Sequence, residues 1–345
     1  MAEDAPDPRD VAWHPRRRFV LYGHSAAEDR LLRGSQSGKL HHAWLLSGPQ
    51  GIGKATLAYR FARFLLTDPN ASAHVNLRVD PGAGPARQIA AGGHPDLLVL
   101  ERVFDPKNKR LKREIAVDDA RAVSAFFALT AGTGGWRIAI VDSADDLNGE
   151  SANALLKIIE EPPPRSVFLL VSHRPGALLP TIRSRCISLD LQPLSLDDTM
   201  RVLHELPPAV KIGEETLRQA AELSNGSPGR ALDLVGSKGA AAFAAFAAKP
   251  RLSQSRCVEI GMQFAGRDSA EDYAVFSELL IGWIAEKARV AGLSGGGARL
   301  AKAHDDIVYS IRQTDAVNLD RRQTVVDALL ALGEALEKES VLAPR

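Results

Sequence analysis

From Gly23 to about Leu191, short runs of consecutive apolar residues alternate with longer stretches in which apolar side chains return every third or fourth position. The runs at His42–Ser47, Asp96–Leu100, Trp136–Val141, Val167–Val171 and Ile187–Leu191 are too short for helices and are bounded by polar or turn residues. They predict buried strands. Between them the period predicts helices. One opens at His24-Ser25 and runs through Leu31-Leu32, and Lys54–Leu66 carries Leu57, Phe61, Phe64 and Leu65 on one face. Two more fall near Asp118–Leu129 and Glu150–Glu161. Strands alternating with helices predict a parallel, three-layer α/β unit. Asp68–Gly93 breaks the rhythm with Asn, Asp, Pro and Gly, and reads as a surface excursion with room for one short helix.

Beyond Pro193 no strand pattern returns. Asp197–Glu205, Glu214–Leu223 and Pro228–Leu234 predict a compact helical set, and an Ala-rich stretch, Gly239–Ala248, leads to Lys249-Pro250. Ser253–Phe264, Ser269–Ala291, Gly297–Arg312 and Leu319–Leu336 then read as amphipathic helices. There is no internal repeat. The layout is an N-terminal arm over 1–22, expected to be loose, an α/β domain over 23–192, a small helical domain over 193–248 and a larger one over 249–345.

Composition narrows the function. Lys and Arg total 43 against 42 Asp and Glu, a net charge of +1, so no global basic field drives binding to nucleic acid. Contact with phosphate would have to be local. Two segments qualify: Arg16-Arg17-Arg18, and the cluster Lys107, Lys109, Arg110, Lys112 and Arg113. Each reads either as a solvated surface run or as a contact to phosphate, and for the second a solvated hairpin or an acidic partner are the other readings. Two cysteines exclude a disulfide framework and a four-cysteine zinc site. No apolar run approaches the roughly 20 residues that span a bilayer, and the acidic, Pro-rich start lacks a signal-peptide core. The expected compartment is the reduced cytoplasm.

The sharpest local chemistry is Gly48-Pro49-Gln50-Gly51-Ile52-Gly53-Lys54, between a predicted strand and helix. Glycines let successive backbone N–H groups curl inward around phosphate oxygens, the helix start adds positive potential, and Lys54 can reach the outer phosphates. Gly48, Gly51, Gly53 and Lys54 are the candidate nucleotide residues. The next position, which should offer a hydroxyl to Mg²⁺, is Ala55. Thr56 comes one residue late, about a third of a helical turn away. On the strand Ile140–Asp142, Asp142 stands where a Mg²⁺-associated carboxylate belongs, but Ser143 follows it where a water-polarising Glu is needed. Asp145 and Asp146 read as the start of the next turn, with Asn148 as a helix cap. Two readings of the loop stay open: ATP or ADP held without turnover, with or without Mg²⁺, or no nucleotide at all. Intrinsic hydrolysis is not expected.

The stretch Ala152-Asn153-Ala154-Leu155-Leu156-Lys157-Ile158-Ile159-Glu160-Glu161-Pro162-Pro163 resembles the signature helix of bacterial clamp-loader subunits. Leu179-Pro180-Thr181-Ile182-Arg183-Ser184-Arg185-Cys186 is similar to their Ser-Arg-Cys motif, and Gly92-Gly93-His94-Pro95-Asp96 is similar to the DNA polymerase III delta-prime family among them. The resemblance runs from about Gly23 to Leu234; the C-terminal helices agree in layout only. It implies an AAA+ P-loop domain with a parallel sheet (23–192), a helical lid (193–248) and an all-α collar for oligomerisation (249–345). It also implies a place in a hetero-pentamer with clamp-loader ATPase subunits and a delta-like subunit, acting on the sliding clamp and primed DNA within a DNA-directed DNA polymerase holoenzyme. No polymerase acid constellation is recognisable in this chain. Arg185 matches the arginine that such subunits project into a neighbour's ATP site, and Arg183 is its bland neighbour. Arg230, in Ser227-Pro228-Gly229-Arg230, is similar to a lid sensor arginine, with holding the lid against the P-loop domain as the other reading. Ser172 is either a first sensor or a turn cap.

Departures from the family are informative. Asp68–Gly93 carries no cysteine, so the zinc cluster of many delta-prime chains is not expected. His41-His42 is not expected to bind metal, because adjacent side chains on a strand face opposite ways. Cys186 has no identifiable base and reads as a small buried residue. The competing readings are an autonomous ATPase motor, which Ala55 and Ser143 argue against, and a P-loop small-molecule kinase.

Overall fold

The computed structural model describes residues 10–68, 74–129, 135–207, 212–250, 253–293 and 296–340. The chain divides into two units, one of residues 1–212 with 225–230, the other of 213–224 with 231–345.

In the first unit, α1 (Ser25–Gln36) leads to β1 (Ala43–Ser47), and α2 (Lys54–Thr67) and α3 (Gly84–Ala91) lead to β2 (Leu97–Glu101). A two-stranded ribbon of β3 (Phe104–Asp105) and β4 (Arg110–Leu111) precedes α4 (Val117–Ala128), β5 (Arg137–Asp142) and α5 (Gly149–Glu160). The unit continues through β6 (Ser166–Ser172), the short α6 (Pro180–Arg183), β7 (Ile187–Asp190) and α7 (Leu196–His204). The sheet is parallel, in the order β2-β5-β6-β1-β7. All five residues of β1 and all seven of β6 are buried, as expected for strands covered on both faces. One apolar layer joins α1 and α2 to one face, through Leu31, Leu57, Phe61 and Phe64 against Leu46, Ile140 and Leu169. The other joins α4 and α5 through Val123, Phe127, Leu155 and Ile159 against Leu45, Val141 and Phe168.

The segment before Gly23 is not the loose arm expected of it, in residues 10–22. Arg63, fully buried on α2, spreads its guanidinium over the carbonyls of Arg18 (2.7 Å), Pro15 (3.2 Å) and Arg16 (2.5 Å) and lies 4.3 Å from the Phe19 ring centroid. Arg16 and Arg17 turn to Asp10 and Arg18 to Glu205, so the arginine run is engaged within the fold. Burial pulls the Arg63 guanidinium down to about 10.

In the second unit, α8 (Glu214–Leu223), the end of α9 (Pro228–Leu234), α10 (Lys238–Ala248), α11 (Gln254–Met262), α12 (Ala270–Leu293), α13 (Ala298–Val317) and α14 (Arg321–Ser340) form an all-helical body. An aromatic chain from Trp283 through Phe246, Phe243, Phe276 and Phe264 to Tyr273 fills its centre. The Ala-rich stretch is a helix whose Gly239 lies so close to α12 that a Cβ would stand 2.0 Å from the Asp272 carbonyl. Among the described residues no single helix is long and apolar enough to cross a membrane.

Replacing Arg63 with Met keeps most of the volume but strips three part-buried carbonyls of their donor. We expect a loss of about 2–4 kcal/mol, read as a lower urea midpoint, together with faster tryptic cleavage at Arg16–Arg18. An unchanged midpoint and cleavage rate would show that the segment holds without it.

Candidate functional site

The C-terminal end of β1 passes into the glycine loop, and its backbone takes the conformation a phosphate cradle needs. Gly48, Gly51 and Gly53 sit at φ 138°, 76° and 106°, values that L side chains avoid. Space forbids side chains too: a Cβ on Gly48 would meet the Leu191 carbonyl at 2.4 Å, and one on Gly51 the Ser227 hydroxyl at 2.4 Å. Residues 227–230 lie directly on the loop. Ser227 Oγ donates to the Gln50 carbonyl (2.8 Å), Gly229 N–H donates to the Gly51 carbonyl (3.1 Å), and the Arg230 N–H closes the turn on Ser227 Oγ (3.2 Å). Just before α1, His24 Nε2 bonds to the Ile52 carbonyl at 2.7 Å.

Lys54 opens α2 as a buried residue, and its ammonium donates to the carbonyls of Gly48 (2.7 Å) and Pro49. Burial pulls its pKa down to about 8, against the opposing charges of Asp142 and Asp145. The residues present therefore fit the phosphate half of a nucleotide site. The metal half is poorer. Ala55 offers only a methyl, packed against the sheet–helix layer, and Thr56 is half-buried one position further on α2.

Asp142 ends β5 beside Glu101, its register partner on β2. Desolvation and the Glu101 charge push the Asp142 carboxyl up to about 6. Gln50, Glu101, Arg102, Asp142, Ser143, Asp146 and His173 line a small cleft there. Ser143 donates to Asp146 (3.2 Å), which also pairs with Arg102 (3.2 Å), so Ser143 braces a turn and supplies no base. Asp145 caps the end of β6, accepting from Ser172 Oγ (2.8 Å) and the N–H groups of His173 (2.5 Å) and Arg174 (3.3 Å). This fits Ser172 as a turn hydroxyl. Asn148 caps α5, accepting from the Ser151 N–H at 2.9 Å. Glu101, Arg102 and His173 were not singled out by the sequence. The only signal for Glu101 is its place one residue past an apolar run, level with Asp142.

Arg185 lies elsewhere. It precedes β7, whose Ile187 pairs with Trp44 near the start of β1, whereas the loop follows Ser47, paired with Asp190. A strand's length, about 16 Å at 3.3 Å per residue, separates the two ends. The Arg185 guanidinium pairs with Glu160 (2.7 Å) and donates to the Thr181 carbonyl (3.0 Å), both side chains of the ion pair being partly exposed. His41, His42, Glu161 and Cys186 complete the surrounding groove. Cys186 packs against the sheet core, and burial pushes its thiol up to about 12, so it stays protonated. The histidine rings do not face opposite ways as expected. They precede β1, which starts at Ala43, and stack at 4.4 Å while His41 Nδ1 turns to the Ala43 backbone. Among the described residues no group of three or more His, Cys, Asp or Glu is placed to hold a metal ion.

The raised Asp142 pKa has a sign. In the unfolded chain this carboxyl ionises near 3.9, in the fold near 6, so its stabilising protonated form is fully present below about 3.9 and lost as pH rises through about 6. Asp142→Asn removes that dependence. The variant should gain stability relative to wild type between about pH 4 and 7, by at most about 3 kcal/mol at 1.4 kcal/mol per unit. Parallel curves of Tm against pH would show that Asp142 is not so perturbed.

Residues 23–195, half of the chain, match the family model described as DNA polymerase III, delta subunit. Among curated proteins, DNA polymerase III subunit delta' of Pseudomonas aeruginosa is 40% identical over 54% of this chain and 53% of its own. The subunit delta' of Escherichia coli is 33% identical over 60% of this chain and 58% of its own. The matched part thus spans between half and three fifths of each relative's length. A solved Thermotoga maritima chain, a DNA polymerase III gamma subunit-related protein, is 17% identical with a TM-score of 0.43, over 91% of this chain and 99% of that one. The loop, the signature helix and the Ser-Arg-Cys segment all fall inside the matched span, and the chain belongs to the DNA polymerase III delta-prime family.

Proposed function

We propose that this chain is a non-hydrolysing subunit of the DNA polymerase III clamp loader that lends Arg185 to the ATP site of a neighbouring ATPase subunit. The observation that carries the reading is the position of Arg185, partly exposed at the end of the sheet opposite its own glycine loop. An arginine there cannot serve the Lys54 site of the same chain, and its forked, permanently charged head suits a γ-phosphate presented by another subunit. Glu160 holds the fork in the free subunit. As a partly exposed pair this is worth little, so exchange of the carboxylate for a phosphate is cheap.

The chain's own site supports the other half of the reading. Gly48, Gly51, Gly53 and Lys54 can hold phosphates of ATP or ADP, while Ala55 and Ser143 leave it without a metal-binding hydroxyl and without a base. Asp142 and Thr56 are the residues that remain to hold Mg²⁺. Arg230 serves as a strut of the turn on Gly51, with the lid over 193–248 and the collar over 249–345 holding the chain in a five-membered ring beside the ATPase and delta-like subunits. In that ring it assists ATP-dependent placement of the sliding clamp on primed DNA in the cytoplasm.

The test is ATP hydrolysis by the reconstituted loader with clamp and primed DNA. Arg185→Ala should slow the site it serves by about 10³–10⁵, diluted in the total by other intact sites, with assembly unchanged. Arg185→Lys should not rescue it, because one ammonium lacks the planar fork. Undiminished turnover in an assembly that contains the variant would make Arg185 structural.

A further inference from the structure

The Ala-rich helix α10 and the Lys249-Pro250 pair that ends it have no part in the nucleotide site or in the Arg185 groove. The helix lies against α12, from Gly239 at the Asp272 carbonyl to Phe246, whose ring meets that of Trp283 edge-on at 5.4 Å. Pro250 cannot continue a helix and holds the residue before it extended. Lys249 accordingly leaves the helix at φ −145° and ψ 78°, its side chain exposed. On α12, Trp283 and Lys287 are four residues apart and share a face, with the Lys287 ammonium 5.3 Å from the Trp283 ring centroid. Contact with the ring face leaves that ammonium its hydrogen-bond donors.

Ala248, Lys249, Pro250, Trp283, Lys287 and Leu336 of α14 line one groove of about 530 Å³. Its lining is apolar apart from the two cations. No carboxylate lines it: Glu286, beside Lys287 in sequence, turns to Arg289 at 2.7 Å. Neither lysine forms an ion pair with a carboxylate among the described residues. Two features choose the occupant. A half-buried Trp is the kind of anchor that interface cores are enriched in, and unpaired cations beside it call for carboxylates. The second feature is size. Six residues line the groove, against roughly 20–30 a side for a stable protein interface, so it takes a short segment rather than the folded face of a second copy. A nucleic acid is disfavoured, because two cations neutralise only about two phosphates and the rest of the lining is apolar.

We propose that this groove binds a short acidic segment of another protein, one apolar side chain of the segment packing on Trp283 and Leu336 while flanking carboxylates meet Lys249 and Lys287. The inference stands apart from Arg185 and the site it serves. It is tested on the isolated full chain by fluorescence anisotropy with labelled acetyl-Glu-Glu-Leu-Phe-Glu-Glu, an apolar anchor between paired carboxylates.

Binding should weaken at least about tenfold when the peptide's Leu-Phe becomes Ala-Ala, and as much in Trp283→Ala. Lys249→Glu with Lys287→Glu should also lose at least about tenfold, and should take up acetyl-Lys-Lys-Leu-Phe-Lys-Lys, which the wild type does not bind. A control, Lys302→Glu with Arg312→Glu on the exposed side of α13, should leave both peptides where they were. No saturable binding of the acidic peptide, an equal loss in the control, or an Ala-Ala peptide that binds as well would overturn the proposal. So would a lysine variant that keeps its peptide affinity but no longer assembles with clamp-loader ATPase subunits, which would make the groove a subunit contact. Tighter binding of a single-stranded oligonucleotide, lost in the same variant, would overturn it too. Both lysines are exposed, so the charge-reversed variant should keep the wild-type urea midpoint, and its gain of the basic peptide reads the groove even where Trp283→Ala unfolds.

Discussion

Strand β1 is hydrogen-bonded on both sides, to β6 and to β7, with every residue buried, and both pairings are parallel. That fixes direction as well as position. The strand's C-terminal end must carry the glycine loop, because only there do the loop's N–H groups meet the start of α2. Its N-terminal end must face the turn that leads into β7, which is where Arg185 stands. A parallel sheet cannot bring those two features together without breaking its register, and a register slip would turn buried side chains out of both apolar layers. Separation of phosphate loop and arginine is therefore a consequence of strand pairing.

At the loop end, charge rather than packing sets the behaviour. Lys54 is buried among carbonyls, with Asp142 and Asp145 as its opposing charges, and its depressed pKa records that these only partly replace lost water. Asp142 is raised by burial and by Glu101, and Lys54 only partly offsets this. The loop's lysine and carbonyls are thus partnered within the chain itself. The turn over residues 227–230 adds two hydrogen bonds to the loop and closes on itself with a third, and its closeness requires glycine at both Gly51 and Gly229.

Much of this was legible in the sequence, since buried parallel strands and amphipathic helices write their periods plainly. The seven-residue run Gly48–Lys54 could be read as a phosphate loop because positive-φ glycines and a helix start have few other uses at that spacing. What escaped the sequence was long-range. Arg63 lies off the apolar stripe of its helix, where a charge would be expected to meet solvent, and nothing local says that it will be taken up by carbonyls of residues 15–18. The rings of His41 and His42 stack because the strand begins one residue later than its apolar run. Gly239 read only as the start of an Ala-rich stretch and is a close contact inside a helix, forced by the backbone of α12. In each case the deciding partner lies far away in the chain or depends on where an element begins, and neither periodicity nor spacing encodes it.

Ala55 and Ser143 each have a structural place of their own in the site. The Ala55 methyl joins the apolar layer under α2, and Ser143 braces Asp146, so each substitute has a place in the fold that a catalytic hydroxyl or carboxylate would have filled differently. A Glu at 143 would add a carboxylate beside Asp142, Glu101 and Asp146 in a cleft where Asp142 is already held partly protonated by burial and like charge. Without a bound cation to offset it, that charge would raise the Asp142 carboxyl further. A base there would thus be costly without a cation and a hydroxyl to help hold it, so positions 55 and 143 are electrostatically linked.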